Sequence, residues 1–266
     1  MTETRLLRGP LDRFGLWLAR VLSREIDKPP DIGYSDPEAL AAALRPGDVL
    51  LIEGRQRLST AIKYLTQSTW SHSALFAGDA LPPPKVGGEG PQLIEVNLGE
   101  GCVVSPLSKY RYTNARICRP VGLSDKDRDA VVGFMAERIG YAYDMKNIVD
   151  LARYLLPTPP VPVRFRRRML ALGSGDPTRA ICSTMIAQAF QSVRYPILPV
   201  VMRDGERQPQ ASGYSKRDIL HIRHHSLFVP RDFDLSPYFS VVKPTVENGF
   251  DYRDLNWAAP ETELAR

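Results

Sequence analysis

The chain has 266 residues, and its 35 Lys+Arg against 30 Asp+Glu leave a formal net charge of +5. With 43% hydrophobic and 24% charged residues it is too apolar for a disordered chain, and it lacks the sustained repeat of a collagen-like or coiled-coil protein. Its acidic residues are scattered among the basic ones, which argues against a dedicated nucleic-acid binder; such a module gathers its charge into a stripe with interleaved aromatics.

In the N-terminal segment, residues 1–34, Leu11, Phe14, Leu18, Val21 and Leu22 recur at helical spacing, with Trp17 beside them and Arg13, Arg20 and Arg24 elsewhere around the helix. This amphipathic pattern suits packing on the protein's own core or on a partner subunit. It also suits peripheral contact with an anionic membrane. Asp12, Arg13 and Arg20 interrupt the apolar run, so no signal peptide is expected. No stretch of about 18 apolar residues occurs, so no transmembrane helix is expected. Cys102, Cys118 and Cys182 lack CxxC spacing, which argues against structural zinc, and the chain is long enough to fold without disulfide staples. Free thiols then point to the cytoplasm. No metal site and no cofactor are expected.

Ser35-Asp36-Pro37-Glu38 is a helix start, and the helix is expected to run through Leu44. Arg45-Pro46-Gly47-Asp48 breaks it and leads into a buried strand, Val49-Leu50-Leu51-Ile52. A short helix over 59–66 follows, with Ala61, Ile62 and Leu65 inward. The strand His72–Ala77 places His72, Ala74 and Phe76 on one face. Residues 79–91, with Pro82-Pro83-Pro84 and three glycines, read as a loop. The next strand, Leu93–Asn97, places Glu95 and Asn97 on one face. Further strands are expected at Gly101–Ser105 and Arg116–Arg119.

Ser124 with Asp127 resembles a capping box. It opens a helix with Val131, Phe134, Met135 and Ile139 inward and Gly140 at its end. Residues 144–156 are expected to be helical, and the prolines from Pro157 to Pro162 make a stiff linker. Residues 164–172 read as a basic helix. Residues 181–192 form an apolar helix with Met185, Ile186, Ala189 and Phe190 in its stripe. A polar loop at 203–213, a helix from Ser215 to about His224 and a last strand at Tyr238–Val242 complete the order. Strands cluster early and helices late, which argues for an α+β fold.

Cys182 falls in the first turn of its helix, where the helix dipole favours thiolate over thiol. A thiolate nucleophile needs a histidine to exchange protons with it and a polar group to orient that imidazole. His72 lies on a strand and Glu95 two elements later; adjacent strands run about 4.8 Å apart, so a Glu95 strand paired beside that of His72 and facing the same way could bring the two into contact. By spacing alone, the bland reading is a packed core cysteine and a structural histidine.

Five ordered segments resemble the permuted papain-like amidases of the YaeF/YiiX type, relatives of the NlpC-type cell-wall hydrolases. They are Arg45-Pro46-Gly47-Asp48-Val49-Leu50, Thr69-Trp70-Ser71-His72-Ser73-Ala74, Leu93-Ile94-Glu95-Val96 with Gly101-Cys102-Val103, Gly140-Tyr141-Ala142-Tyr143-Asp144, and Ile181-Cys182-Ser183-Thr184-Met185-Ile186. In ordinary papain-like enzymes the cysteine precedes the histidine; here His72 and Glu95 come first and Cys182 last, as in the permuted group. The resemblance implies a small antiparallel sheet packed against the cysteine-bearing helix. It implies a hydrolase domain over 35–245, with a helical insertion at 145–178 and a C-terminal tail at 246–266. It further implies a Cys182-His72-Glu95 triad cleaving an amide or ester of a small molecule, peptide or lipid through a thioester. Tyr143, Trp70, Ser71 and Ser183 are the implied substrate-binding residues. Thr184 departs from the pattern, since the family often has Glu there. A lipid-acting thiol acyltransferase and a non-catalytic binding module of the same fold are the alternatives.

Two other signals stand apart. His221, His224 and His225 share one face of the helix expected over 215–224, without an acidic or cysteine partner to complete a metal set. Arg164, Arg166, Arg167 and Arg168 form the densest basic run, suited to a solvated face or to phosphates. The sequence shows neither a G-x-S-x-G elbow nor a P-loop.

Overall fold

The computed structural model describes residues 37–81, 92–97, 100–141, 181–202, 219–221, 224–244, 251 and 253. Six strands form one antiparallel sheet: β1 (Val49–Ile52), β2 (His72–Phe76), β3 (Leu93–Asn97), β4 (Gly101–Ser105), β5 (Ala115–Pro120) and β8 (Phe239–Val242). Their order is β4-β3-β2-β1-β5-β8. The helices are α1 (Pro37–Ala43), α2 (Arg57–Thr66), α3 (Asp125–Ala136), α4 (Ile181–Ser192) and α5 (Pro230–Leu235). The chain is therefore α+β, as its element order implies.

The sheet is covered on both faces, and strand parity decides which side chain goes where. Val49 and Leu51, Leu75 and Ala77, Ile94 and Val96, and Cys118 point to one face. There they meet Val131, Val132 and Met135 of α3 and Ile186, Ala187, Ala189 and Phe190 of α4. Leu50 and Ile52, Ala74 and Phe76, Leu93, and Ala115 and Ile117 point to the other. That face is closed by Leu40 and Ala43 of α1, by Leu44 and by Leu107 and Tyr110 of a 3₁₀ turn, Leu107–Tyr110. Double coverage explains why β1 is apolar at every position.

The turn before β1 is fixed by its own residues. Gly47 takes φ +88°, and a Cβ there would meet the Arg128 side chain at 2.9 Å. Buried Asp48 accepts the Arg45 backbone N–H at 2.9 Å and pairs with Arg119 of β5 at 2.8 Å. Ser124 caps α3 as expected, accepting the Asp127 N–H at 3.2 Å.

Three sequence expectations are corrected. Ile219–His221 is a strand, β7, paired with β6 (Val200–Met202), and not part of a helix from Ser215. Pairing with β6 decides the state of these three residues, and Ser215 and Asp218 lie outside the described residues. The three histidines consequently share no helix face: His221 lies in β7, His224 precedes a 3₁₀ turn and His225 opens it. Ile139 is 37% exposed because α3 ends at Ala136, before the stripe reaches it. The 1–34 segment, the prolines of 82–84, the 145–178 insertion with its arginine run and the 203–213 loop lie outside the described residues. No described helix is long and apolar enough to cross a membrane.

Candidate active site

The site forms at the start of β2, where two tightened segments meet. Gly54 follows β1 and donates its N–H to Ser71 Oγ at 2.9 Å. A Cβ at Gly54 would crowd both Ser59 and Ser71, so the close approach requires glycine. Ser71 N–H in turn bonds the Ile52 carbonyl at 3.1 Å. Trp70 is buried, donates Nε1–H to Asp234 at 3.0 Å and lies 4.9 Å from the Arg116 guanidinium. Arg116 pairs with both Asp234 oxygens at 2.8 Å. These contacts leave β2 a single geometry at its first residue, His72.

The register of β2 with β3 places Ala74 opposite Glu95, so His72 lies diagonally across from the carboxylate on the same face. His72 Nε2 meets Glu95 Oε2 at 2.7 Å. Glu95 has no solvent exposure, and buried carboxylates survive only with donors around them. It accepts from Ser105 Oγ at 2.5 Å, from Lys109 Nζ and from Tyr110 OH as well as from His72. Burial opposes its charge, but His72, Lys109 and Ser105 outweigh that and hold the carboxyl well below its usual range. Burial and the Glu95 charge drive the Tyr110 phenol upward, so Tyr110 stays a donor.

Cys182 is the second residue of α4, which packs on β2 and β3 from the opposite face of the sheet. Its side chain is 5% exposed and packs against Val229. The sulfur lies beside the His72 imidazole and beside Ser73 of β2. Burial resists a thiolate there; the His72 charge, with the polar groups of His72 and Ser73 beside the sulfur, overcomes it, and the thiol is lowered from its ordinary value. Burial likewise opposes the imidazolium, but Cys182 and Glu95 raise His72 to about 10. The other thiols go the opposite way. Burial lifts Cys102 to about 11 and pushes Cys118 higher still, which suits inert packing residues.

His72, Glu95 and Cys182 therefore converge, with His72 between the other two. Trp70, Ser71 and Ser183, implied by the resemblance as substrate-binding residues, are buried, with their side-chain polar atoms bonded within the protein. Ser183 Oγ donates to the Phe228 carbonyl at 2.9 Å and ties α4 to the segment carrying Val229. Tyr143 lies outside the described residues. Sequence reasoning missed Ser105, Lys109 and Tyr110. Only the β3–β4 hairpin and the following 3₁₀ turn fold them back onto Glu95, and nothing in a Ser-Lys-Tyr turn announces that.

Chemically, a polarised thiol, an imidazole and a buried carboxylate in series can carry out nucleophilic acyl transfer. The Cys182 N–H belongs to the first turn of α4, whose donors lack intrahelical acceptors, and such donors suit an oxyanion. Among the described residues no group of three or more His, Cys, Asp or Glu is arranged to hold a metal ion.

No family model matches the sequence, and no curated protein matches it. Among solved structures, the chain is similar to metalloprotein yiiX from Escherichia coli O157:H7, with a TM-score of 0.43 and 14% identity over 74% of this chain and 96% of that one.

Proposed function

We propose that the protein is a thiol-dependent hydrolase of permuted papain-like fold that cleaves an amide or ester through Cys182, His72 and Glu95. The observation that carries this reading is the position of His72, bonded to Glu95 through Nε2 at 2.7 Å and facing the Cys182 sulfur. The order histidine, glutamate, cysteine along the chain and the helix-borne cysteine packed on an antiparallel sheet support the permuted arrangement.

In this mechanism the Cys182 thiolate attacks the substrate carbonyl carbon, and the carbonyl π pair moves onto oxygen. The Cys182 N–H steadies the oxyanion. Nε2 of His72 is committed to Glu95, which leaves Nδ1 to give its proton to the departing amine or alcohol. Collapse of the intermediate expels that group and leaves a thioester on Cys182. Water then attacks the thioester carbonyl, His72 takes its proton, and collapse releases the acid and the thiolate. Glu95 remains ionised throughout and holds the ring.

Iodoacetamide alkylation followed by peptide mass spectrometry tests the nucleophile. Cys182 is expected to react at neutral pH at least about tenfold faster than an ordinary thiol, and His72→Ala to slow it by a similar factor. Hydrolysis of p-nitrophenyl acetate and of aminocoumarin amides is expected to vanish in Cys182→Ala. If Cys182 reacts no faster than Cys102 or Cys118, the hydrolase reading fails and a binding module of the same fold takes its place.

A further inference from the structure

β2 divides its first two residues between the faces of the sheet. His72 belongs with Ala74 and Phe76, whose face also carries Tyr110. Ser73 belongs with Leu75 and Ala77, on the face packed by α4. Ser73 is fully buried, and its hydroxyl makes no hydrogen bond within the protein. Among the described residues it is the one buried side chain left in that state. A hydroxyl without a partner in an apolar core is unfavourable, by about 1–3 kcal/mol, and such an exception calls for an explanation. The polar atom beside it is the Cys182 sulfur, which also faces the Ser73 backbone.

We propose that Ser73 is a thiolate-positioning residue: its buried hydroxyl and strand N–H donate to the Cys182 sulfur and hold it against His72. The inference rests on Cys182 being the nucleophile, and it adds a fourth member to the site. A thiol is a poor acceptor, so the Ser73 hydroxyl is under-satisfied while the sulfur is protonated. A thiolate is a strong one, and a charge-assisted hydrogen bond forms as the proton leaves. Ser73 lies on the α4 face of the sheet, and Glu95, by its parity with Leu93, on the other. His72 is the charged neighbour from β2, and Tyr110 and Glu95 lie beyond it. Ser73 therefore gives the sulfur a neutral donor that does not depend on the protonation of His72.

The test is the pH dependence of Cys182 alkylation, read by mass spectrometry in the full-length protein, with thiolate absorbance near 240 nm as a second readout against Cys182→Ser. Ser73→Ala is expected to move the thiolate midpoint up by about one pH unit and to lower the alkylation rate on the acid limb about tenfold. The limiting rate at high pH should be unchanged, and thermal stability on the acid side of the midpoint should not fall, because there the hydroxyl being removed has no partner. Ser73→Thr, which keeps the hydroxyl, should restore the wild-type midpoint, and Ser73→Gly should behave as Ser73→Ala. A depressed wild-type midpoint that stays put in Ser73→Ala and Ser73→Gly overturns the role of Ser73 while the thiol reading stands. A Ser73→Thr protein that folds but titrates like Ser73→Ala overturns it too. An ordinary midpoint in the wild type removes both.

Discussion

At the scale of single residues, the chemistry depends on two opposed shifts. Cys182 is lowered and His72 is raised to about 10, so a thiolate–imidazolium pair exists between the two values. Below the Cys182 value the sulfur gains a proton and nucleophilicity is lost. Above about 10 the imidazole loses the proton that the leaving group needs. A bell-shaped profile of kcat/KM is expected, with its alkaline limb near pH 10, and the two limbs belong to the coupled pair rather than to either residue alone. In His72→Ala the alkylation profile should rise once, near the pH of an ordinary cysteine, about 8.5. Tyr110 is tested separately. Tyr110→Phe removes one donor from the fully buried Glu95 and should destabilise the fold by about 1–3 kcal/mol, read as a lower melting temperature. Because the ring of His72 then loses part of its anchor, kcat should fall about tenfold with little change in KM. A fall in KM's favour alone, with kcat intact, would remove Tyr110 from the orienting set.

At the scale of elements, α4 carries the proposed nucleophile, and its position is set from two directions. Phe190 is buried among Phe233, Phe239 and Tyr195, with ring centroids 5.2–6.4 Å away. At the other end Ser183 bonds the Phe228 carbonyl. Ser183→Ala removes one donor from that carbonyl and is expected to cost about 0.5–1.5 kcal/mol, measured by urea denaturation. It should also slow Cys182 alkylation, since the same contact holds the segment whose Val229 packs against Cys182. The elements that make this arrangement were unevenly legible in the sequence. Val49–Ile52 and Leu93–Asn97 show their nature because burial on both faces leaves long apolar runs, and α4 shows its stripe. Residues Ile219–His221 misled because three residues carry no period, and the partner strand that settles their state is distant in sequence. Lys109 and Tyr110 were invisible for a related reason: their role exists only after β3, β4 and the 3₁₀ turn have folded back on Glu95. The proposed triad was legible as residue types and chain order, and the donors around Glu95 were not.

At the scale of the whole molecule, the sheet is built from distant parts of the chain. β8 closes against β5, and α4 crosses to β2 and β3 after all the strands up to β5 have passed. β2 lies inside the sheet with β1 and β3 on its flanks, so its register is fixed from both sides. Because His72 and Ser73 occupy alternate faces, the site depends on an odd–even count as much as on residue identity. One glycine inserted between Ser73 and Ala74 should leave a foldable chain only by pushing a bulge into β2, and Cys182 alkylation should fall to the rate of an ordinary thiol. The same insertion after Leu81, beyond the strand, should leave that rate unchanged. Length change in this molecule is thus a graded event outside the sheet and an all-or-none event within β2: the strand works as a two-position indexing device, and one step of slippage hands the base and the nucleophile's donor to each other's side.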